Sequence, residues 1–202
     1  MKRICGYCYE ALNDEPSFFH ETCSLKFFGS RIPPALPYAC SDLDRLAEEA
    51  VRSRTTVPGV QEKLSLHLAK SRGETPRLTI VGLWGAYILK PPVEEYPFLP
   101  EIEDMTMHLA SIAGIETVPH ALIPLSDGRL AYITKRVDRL RVKTERTGEM
   151  AKRHMEDLCQ LAEKPAAYKY IGSMELMSKL LRNYSSIPGY HLGESALKSG
   201  SA

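Results

Sequence analysis

Net charge is almost absent from this chain: 26 Lys and Arg stand against 25 Asp and Glu in 202 residues, a formal charge of +1. A balance so close gives no global field for nucleic acid or for an anionic membrane surface. Long apolar runs are absent too, and none approaches the ~20 residues that span a bilayer. The basic start, Met1-Lys2-Arg3, has no apolar core behind it, so no secretory leader is expected. No internal repeat is visible. What remains is ordinary globular composition, 44% hydrophobic and 25% charged, long enough for one large domain or two small ones. A cytoplasmic address with no membrane contact is expected.

Disulfide pairing is also not indicated. The cysteines number five, which is odd, and three of them fall in the first 23 residues. Such clustering favours metal ligation over disulfides in a reducing compartment. Cys5-Gly6-Tyr7-Cys8 is a C-x-x-C knuckle, and His20-Glu21-Thr22-Cys23 is an H-x-x-C knuckle eleven residues further on. Cys5, Cys8, His20 and Cys23 together make a closed tetrahedral set for Zn²⁺, structural because no coordination position stays open. Iron suits the same ligands, and a set of unrelated thiols with a surface histidine is the alternative. Phe18, Phe19, Phe27 and Phe28 would supply the apolar cap that so short a module needs.

After an extended Pro-rich linker at 32–37, Ser41 and Asp44 form a capping box for a helix striped by Leu43, Leu46, Ala47, Ala50 and Val51. Residues 52–63 are a polar loop. Leu64, Leu66 and Leu68 alternate with Ser65, His67 and Ala69, the pattern of a half-buried strand. Two β-rich runs, 78–81 and 87–90, flank a turn with Gly82 and Gly85, and Pro91-Pro92 stops the second. That run ends on Lys90. An ammonium at the end of a buried strand either reaches water or has an anionic partner. A helix over 99–113 follows, with Ile102, Met105, Leu109 and Ile112 on one face, and Glu103 borders that expected buried face. A hairpin over 120–124 and 130–135 turns at Ser126-Asp127-Gly128. Residues 140–150 read as a charged loop, 154–163 and 174–181 as helices, and Ser173 as the cap of the second. From 189 onward the small, polar composition predicts a disordered tail.

From Pro58 to about Ser186 the chain resembles the HipA-type toxin kinases of bacterial toxin–antitoxin systems. The resemblance rests on short pieces in family order. They are Gly59-Val60-Gln61-Glu62-Lys63, Ile88-Leu89-Lys90-Pro91, Pro100-Glu101 with Glu103, Ala113-Gly114-Ile115, residues 133–139 (ITKRVDR), residues 154–160 (HMEDLCQ) and Lys169-Tyr170. The cysteine module resembles a variant at the front of some members. The resemblance implies an α+β fold: a protein-kinase-like N-lobe of antiparallel sheet plus helix, with the first helices of a C-lobe. It implies a zinc-knuckle-like module over 1–30, a linker and helix over 31–54, the N-lobe over 55–137, an incomplete helical C-lobe over 138–188 and a tail over 189–202. ATP with Mg²⁺ would be the cofactor and serine or threonine the acceptor. Lys90 would contact the phosphates and Glu103 would hold it. The loop with Thr56, Gly59, Gln61 and Lys63 would cover the nucleotide, with Thr56 at the position of a self-phosphorylated serine. Residues 134–137, with Thr134 and Arg136, would be the hinge. A HipB-type helix-turn-helix antitoxin would be the partner, and DNA would be met only through it.

One kinase element is absent. No aspartate of these 202 residues is followed five positions later by asparagine, and none lies beyond Asp157. Catalytic base and metal ligands of the kinase pattern are therefore missing, and no catalytic residue is assigned. The expectation is a truncated or split kinase, inactive alone, completed by a complementary C-lobe chain. The alternative is a non-catalytic, pseudokinase-like protein that binds an antitoxin or such a chain.

Overall fold

The structure is a computed structural model that describes residues 3–12, 17–43, 45–46, 63–70, 73–81, 84–96, 98–141, 150–169 and 171–189. It divides into two compact units, Met1–Val137 and Asp138–Ala202.

The first unit is α+β. Strands β1 (Leu64–Ala69), β2 (Arg77–Val81), β3 (Tyr87–Lys90), β4 (His120–Pro124) and β5 (Leu130–Lys135) form one antiparallel sheet in the order β2-β1-β3-β5-β4. Period-two alternation turns Leu64, Leu66, Leu78, Leu89 and Ile133 into its core. Ser65 is buried on the other parity, where its Oγ accepts the Gly85 N–H at 3.0 Å. A Cβ on Gly85 would lie 2.4 Å from that oxygen and 2.5 Å from the Leu66 carbonyl oxygen, so only glycine permits the approach. Residues 32–37, expected as a linker, run beside β2. Ala35 donates its N–H to the Pro76 carbonyl at 2.8 Å and accepts from the Leu78 N–H at 2.9 Å.

The cysteine-rich segment shares this core. Helix α1 (Glu21–Phe28) ends at Gly29, whose left-handed φ of 68° closes the last turn. Phe19, Phe27 and Phe28 pack edge to face and join the same buried cluster as Leu64, Leu89 and Ile133. Gly6 accepts the Leu122 N–H at 2.9 Å, which fastens the first knuckle to β4, an edge of the sheet. That bond takes up one of the donors that an edge strand otherwise offers to other chains.

Helix α2 (Leu99–Ile112) forms where expected, but its rotation corrects the expectation. Ile102, Met105, Leu109 and Ile112, the face assigned to the core, are 53%, 52%, 58% and 83% exposed, whereas Asp104 is fully buried. Hydrogen bonds of the polar side chains, described below, take precedence over the apolar stripe.

The second unit opens on a hairpin of β6 (Arg139–Arg141) and β7 (Met150–Lys152), within residues expected to be loop. Strands of three residues, Arg-Leu-Arg and Met-Ala-Lys, are too short to carry a readable alternation. The carboxylate of Asp138 and the guanidinium of Arg139 pair at 2.7 Å, both buried. Helix α3 is only Leu158–Leu161, shorter than the expected 154–163. Asp157 caps it by accepting the Gln160 N–H at 2.9 Å, and Gln160 closes the capping box. Met155, within that expected helix, lies before the cap and is exposed. Helix α4 (Met174–Tyr184) starts at Ser173, whose side chain accepts from the Leu176 N–H. Apolar residues of α3 and α4 line an open cavity of about 330 Å³.

The Asp127 carboxylate in the β4–β5 turn accepts from the Cys40 N–H at 2.9 Å and from the Arg129 guanidinium at 2.9 Å. These donors hold its carboxyl down to about 2. A carboxylate depressed in the folded state stabilises at any pH above its unfolded value and loses that contribution as pH falls toward the folded one. Asp127→Asn is therefore expected to lower stability by about 1 kcal/mol at neutral pH. In thermal melts of both proteins, the gap should close as pH falls from about 4 to 2.

Candidate functional site

The strand-end lysine has its anionic partner. Lys90 closes β3 opposite Tyr132 of β5, and its Nζ lies 5.3 Å from the centre of the Tyr132 ring. The same Nζ is hydrogen-bonded to Glu103 Oε1 from α2, with the two side chains 19% and 26% exposed. A pair this far from water interacts more strongly than a surface ion pair, yet both groups keep an opening toward solvent. Ion, aromatic face and carboxylate make a positive group held in one place, suited to an anionic ligand. Burial, with Glu103 and Asp104 nearby, raises the Tyr132 phenol above its usual range, so it stays neutral.

One residue along α2, the buried Asp104 organises a second polar cluster that sequence reading had not singled out. Its Oδ2 accepts the Tyr9 hydroxyl at 2.6 Å, and its Oδ1 lies 2.6 Å from His120 Nδ1 of β4. His108, one turn on, places Nε2 3.6 Å from Oδ2 and sets its ring 4.4 Å from that of Tyr9, tilted by 57°. Burial lowers the His108 pKa, and the same effect, with Asp104 and Glu101 close by, raises that of Tyr9. The spacing of Asp104 and His108 on a helix was a readable signal. Tyr9 and His120 carried none, because the fold alone brings them there.

Of the other expected nucleotide residues, Thr56, Gly59 and Gln61 lie outside the described residues. Lys63 immediately precedes β1 and is half-buried. Thr134 pairs with both Ile88 and His120 and donates its hydroxyl to the Pro119 carbonyl at 3.0 Å. The N–H groups of Lys135 and Arg136 donate to the carbonyls of Pro119 and Ala86. Those donors belong to the sheet, and the segment leaves it at Val137, where the first unit ends.

The four knuckle residues converge. The ligand atoms of Cys5, Cys8, His20 and Cys23 all lie within 4.8 Å of one another. His20 Nδ1 stands 3.5 Å from Cys8 Sγ and 3.8 Å from Cys23 Sγ, while Nε2 faces the Ala11 carbonyl at 3.1 Å. A proton on Nε2 would satisfy that carbonyl and turn the Nδ1 lone pair toward the sulfurs, as a metal-binding imidazole requires. Burial opposes ionisation of Cys5, but backbone N–H groups of Tyr7, His20 and Cys8 outweigh it and hold the thiol low. Cys23 is pushed up to about 12 by burial and by the other two sulfurs. Ionising all three sulfurs would make them repel one another, and a divalent cation would relieve that repulsion, so the donor set fits Zn²⁺.

Fold and site together define an α+β protein with a lysine–glutamate pair where sheet meets helix. The family model for the HipA-like C-terminal domain matches residues 55–194, more than half of the chain, and the chain belongs to that family. It is 32% identical over 131 residues to "Putative kinase Y4mE" of Sinorhizobium fredii, covering 60% of this chain and 30% of that protein. It is 28% identical over 110 residues to a "Putative kinase" of Haemophilus influenzae, covering 52% and 30%. The chain thus spans about a third of the length of the curated relatives it matches. Among solved structures it is similar to a chain of the Shewanella oneidensis toxin–antitoxin complex of HipA, HipB and operator DNA. That match has a TM-score of 0.38 and 20% identity, and covers 64% of this chain and 33% of the other.

Tyr9→Phe leaves packing intact but removes a donor from a fully buried carboxylate. A loss of roughly 1–3 kcal/mol is expected. Tyr7→Phe, which removes a hydroxyl from the same segment but away from Asp104, is the control in chemical denaturation. Equal losses in the two variants would refute the role given to the Tyr9–Asp104 bond.

Proposed function

We propose that these residues form the nucleotide-holding part of a HipA-family serine/threonine kinase. The ion pair between Lys90 and Glu103 carries this reading, because phosphoryl transfer depends on a positioned cation at the phosphates. In it, Lys90 contacts ATP phosphates, Glu103 fixes its direction, and the loop with Thr56, Gly59, Gln61 and Lys63 lies over the nucleotide. Residues 134–137 form the hinge. Since the sheet takes the N–H groups of Lys135 and Arg136, the base would face the Val137 end of that segment. When bound, Mg²⁺ would neutralise phosphate charge. The residues that hold it in kinases are not in this sequence, so the 202 residues alone bind ATP without transferring its phosphoryl group. A chain or segment carrying an Asp-x-x-x-x-Asn pair would complete the site. A HipB-type antitoxin would be the regulatory partner, with DNA contacted through it, in the cytoplasm. At the knuckle, Cys5, Cys8, His20 and Cys23 would hold structural Zn²⁺.

The second reading is a non-catalytic interaction protein. It draws on one specific observation, the exposed ridge of Ile102, Met105, Leu109 and Ile112 on α2. An apolar ridge in water usually marks a surface that another chain covers.

Calorimetry of the purified chain with Mg²⁺ and ATP tests the first reading. Saturable binding is expected, and Lys90→Ala should weaken it at least about tenfold, the equivalent of one charge-assisted hydrogen bond. Affinity unchanged by Lys90→Ala would place the nucleotide elsewhere, and no binding to folded protein would favour the interaction reading. For the knuckle, the protein as purified should contain Zn²⁺ by elemental analysis, and Cys8→Ser should lose that metal and melt at lower temperature. A Cys8→Ser protein with wild-type zinc content would refute the assignment.

A further inference from the structure

Among the described residues, two buried polar atoms on the inner face of α2 have no hydrogen-bond partner: Oε2 of Glu101 and Nε2 of His108, which stands 3.6 Å from Asp104 Oδ2. Such orphans are rare in native proteins and each calls for an explanation. They flank Asp104, which is fully buried, accepts from Tyr9 and lies 2.6 Å from His120 Nδ1. Asp104 and His108 of this face therefore meet His120 of β4 around one small volume.

We propose that Asp104, His108 and His120 form a second metal site, distinct from the knuckle, for a first-row divalent cation such as Zn²⁺, Co²⁺ or Ni²⁺. Their ligand atoms lie within 4.8 Å of one another, close enough for one ion to reach all three. Asp104 and His108 stand four residues apart on one face of α2, and His120 comes from β4, so the ligands converge from two elements. Two nitrogens and one carboxylate oxygen suit borderline divalent ions, and the soft thiolates of the knuckle belong to another set. Three protein ligands leave a fourth position for water. Tyr9 is a supporting residue, not a ligand: its hydroxyl donates to Asp104 Oδ2 and orients the carboxylate, as groups behind metal ligands do. An ion here would tie the knuckle segment, α2 and β4 together one residue from Glu103. The inference does not depend on ATP binding.

Co²⁺ titration of the full chain, read by visible spectroscopy and equilibrium dialysis, tests it. Two equivalents are expected, one with the intense sulfur-to-cobalt absorption of the knuckle and one with only the weak bands of nitrogen and oxygen ligation. His108→Ala and His120→Asn should each remove the second equivalent and leave the sulfur absorption intact, while Cys8→Ser should do the reverse. Tyr9→Phe should keep the second equivalent but weaken it about tenfold or more. His108→Gln, close in volume and still polar, serves if alanine prevents folding, and it too should lose that equivalent. A single, sulfur-bound equivalent would overturn the proposal and leave a hydrogen-bonded cluster only. So would a second equivalent that survives substitution of either histidine.

Discussion

The carboxylate of Asp104, buried without solvent contact, decides which way α2 faces. A charge in that position is tolerable only with donors at hand, and removing them leaves a penalty of several kcal/mol. Tyr9 and His120 supply those donors from the knuckle and from β4, and both approach at 2.6 Å. Once Asp104 points inward, its neighbour Glu103 must lie about 100° away around the helix, where it meets Lys90. The apolar stripe is then carried to the outside. The helix gives up the burial of several apolar side chains, each worth up to about 1.5–3 kcal/mol. In exchange it keeps two carboxylates and a strand lysine paired.

These contacts form a continuous path. Gly6 binds the first knuckle to Leu122, and Tyr9 binds Asp104. His120 stacks on Tyr132, with ring centres 5.9 Å apart, and Tyr132 lies beneath Lys90. The four knuckle ligands and the lysine pair thus belong to one packed body, with Phe27 and Phe28 in the same core as Leu89. Order at the knuckle bears directly on the direction of α2, and α2 sets the distance from Glu103 to Lys90. A metal at the knuckle would thereby act on the Lys90–Glu103 pair without touching it.

Much of this was legible in the residues. Alternating leucines announced β1, the Asp-Gly turn announced the β4–β5 hairpin, and the paired knuckles announced four converging ligands. Lys90 stood out because a lysine ending an apolar strand reaches water or has an anionic partner, and the family resemblance pointed to Glu103. What was not legible shares one cause. The period of α2 reports which residues are apolar, and the usual inference sends that face inward. The rotation is settled instead by Tyr9, 95 positions from Asp104 in sequence, and by His120 across the sheet. Neither leaves a mark in local pattern. The β6–β7 hairpin was missed for a simpler reason, since three-residue strands hold too little alternation to be seen.

The inverted helix also bears on how the two readings of function relate. Ile102, Met105, Leu109 and Ile112 follow a 3–4–3 spacing, the seam by which one helix receives another. The residues that place this seam outward are the same ones that hold the Lys90–Glu103 pair together. A chain that covered the seam would stabilise the orientation of α2 in which Glu103 meets Lys90. The paired charges and the exposed ridge are therefore two faces of one helix rather than competing features. Its inner face arranges the charge and its outer face is where that arrangement can be reinforced, with the buried Asp104 between them.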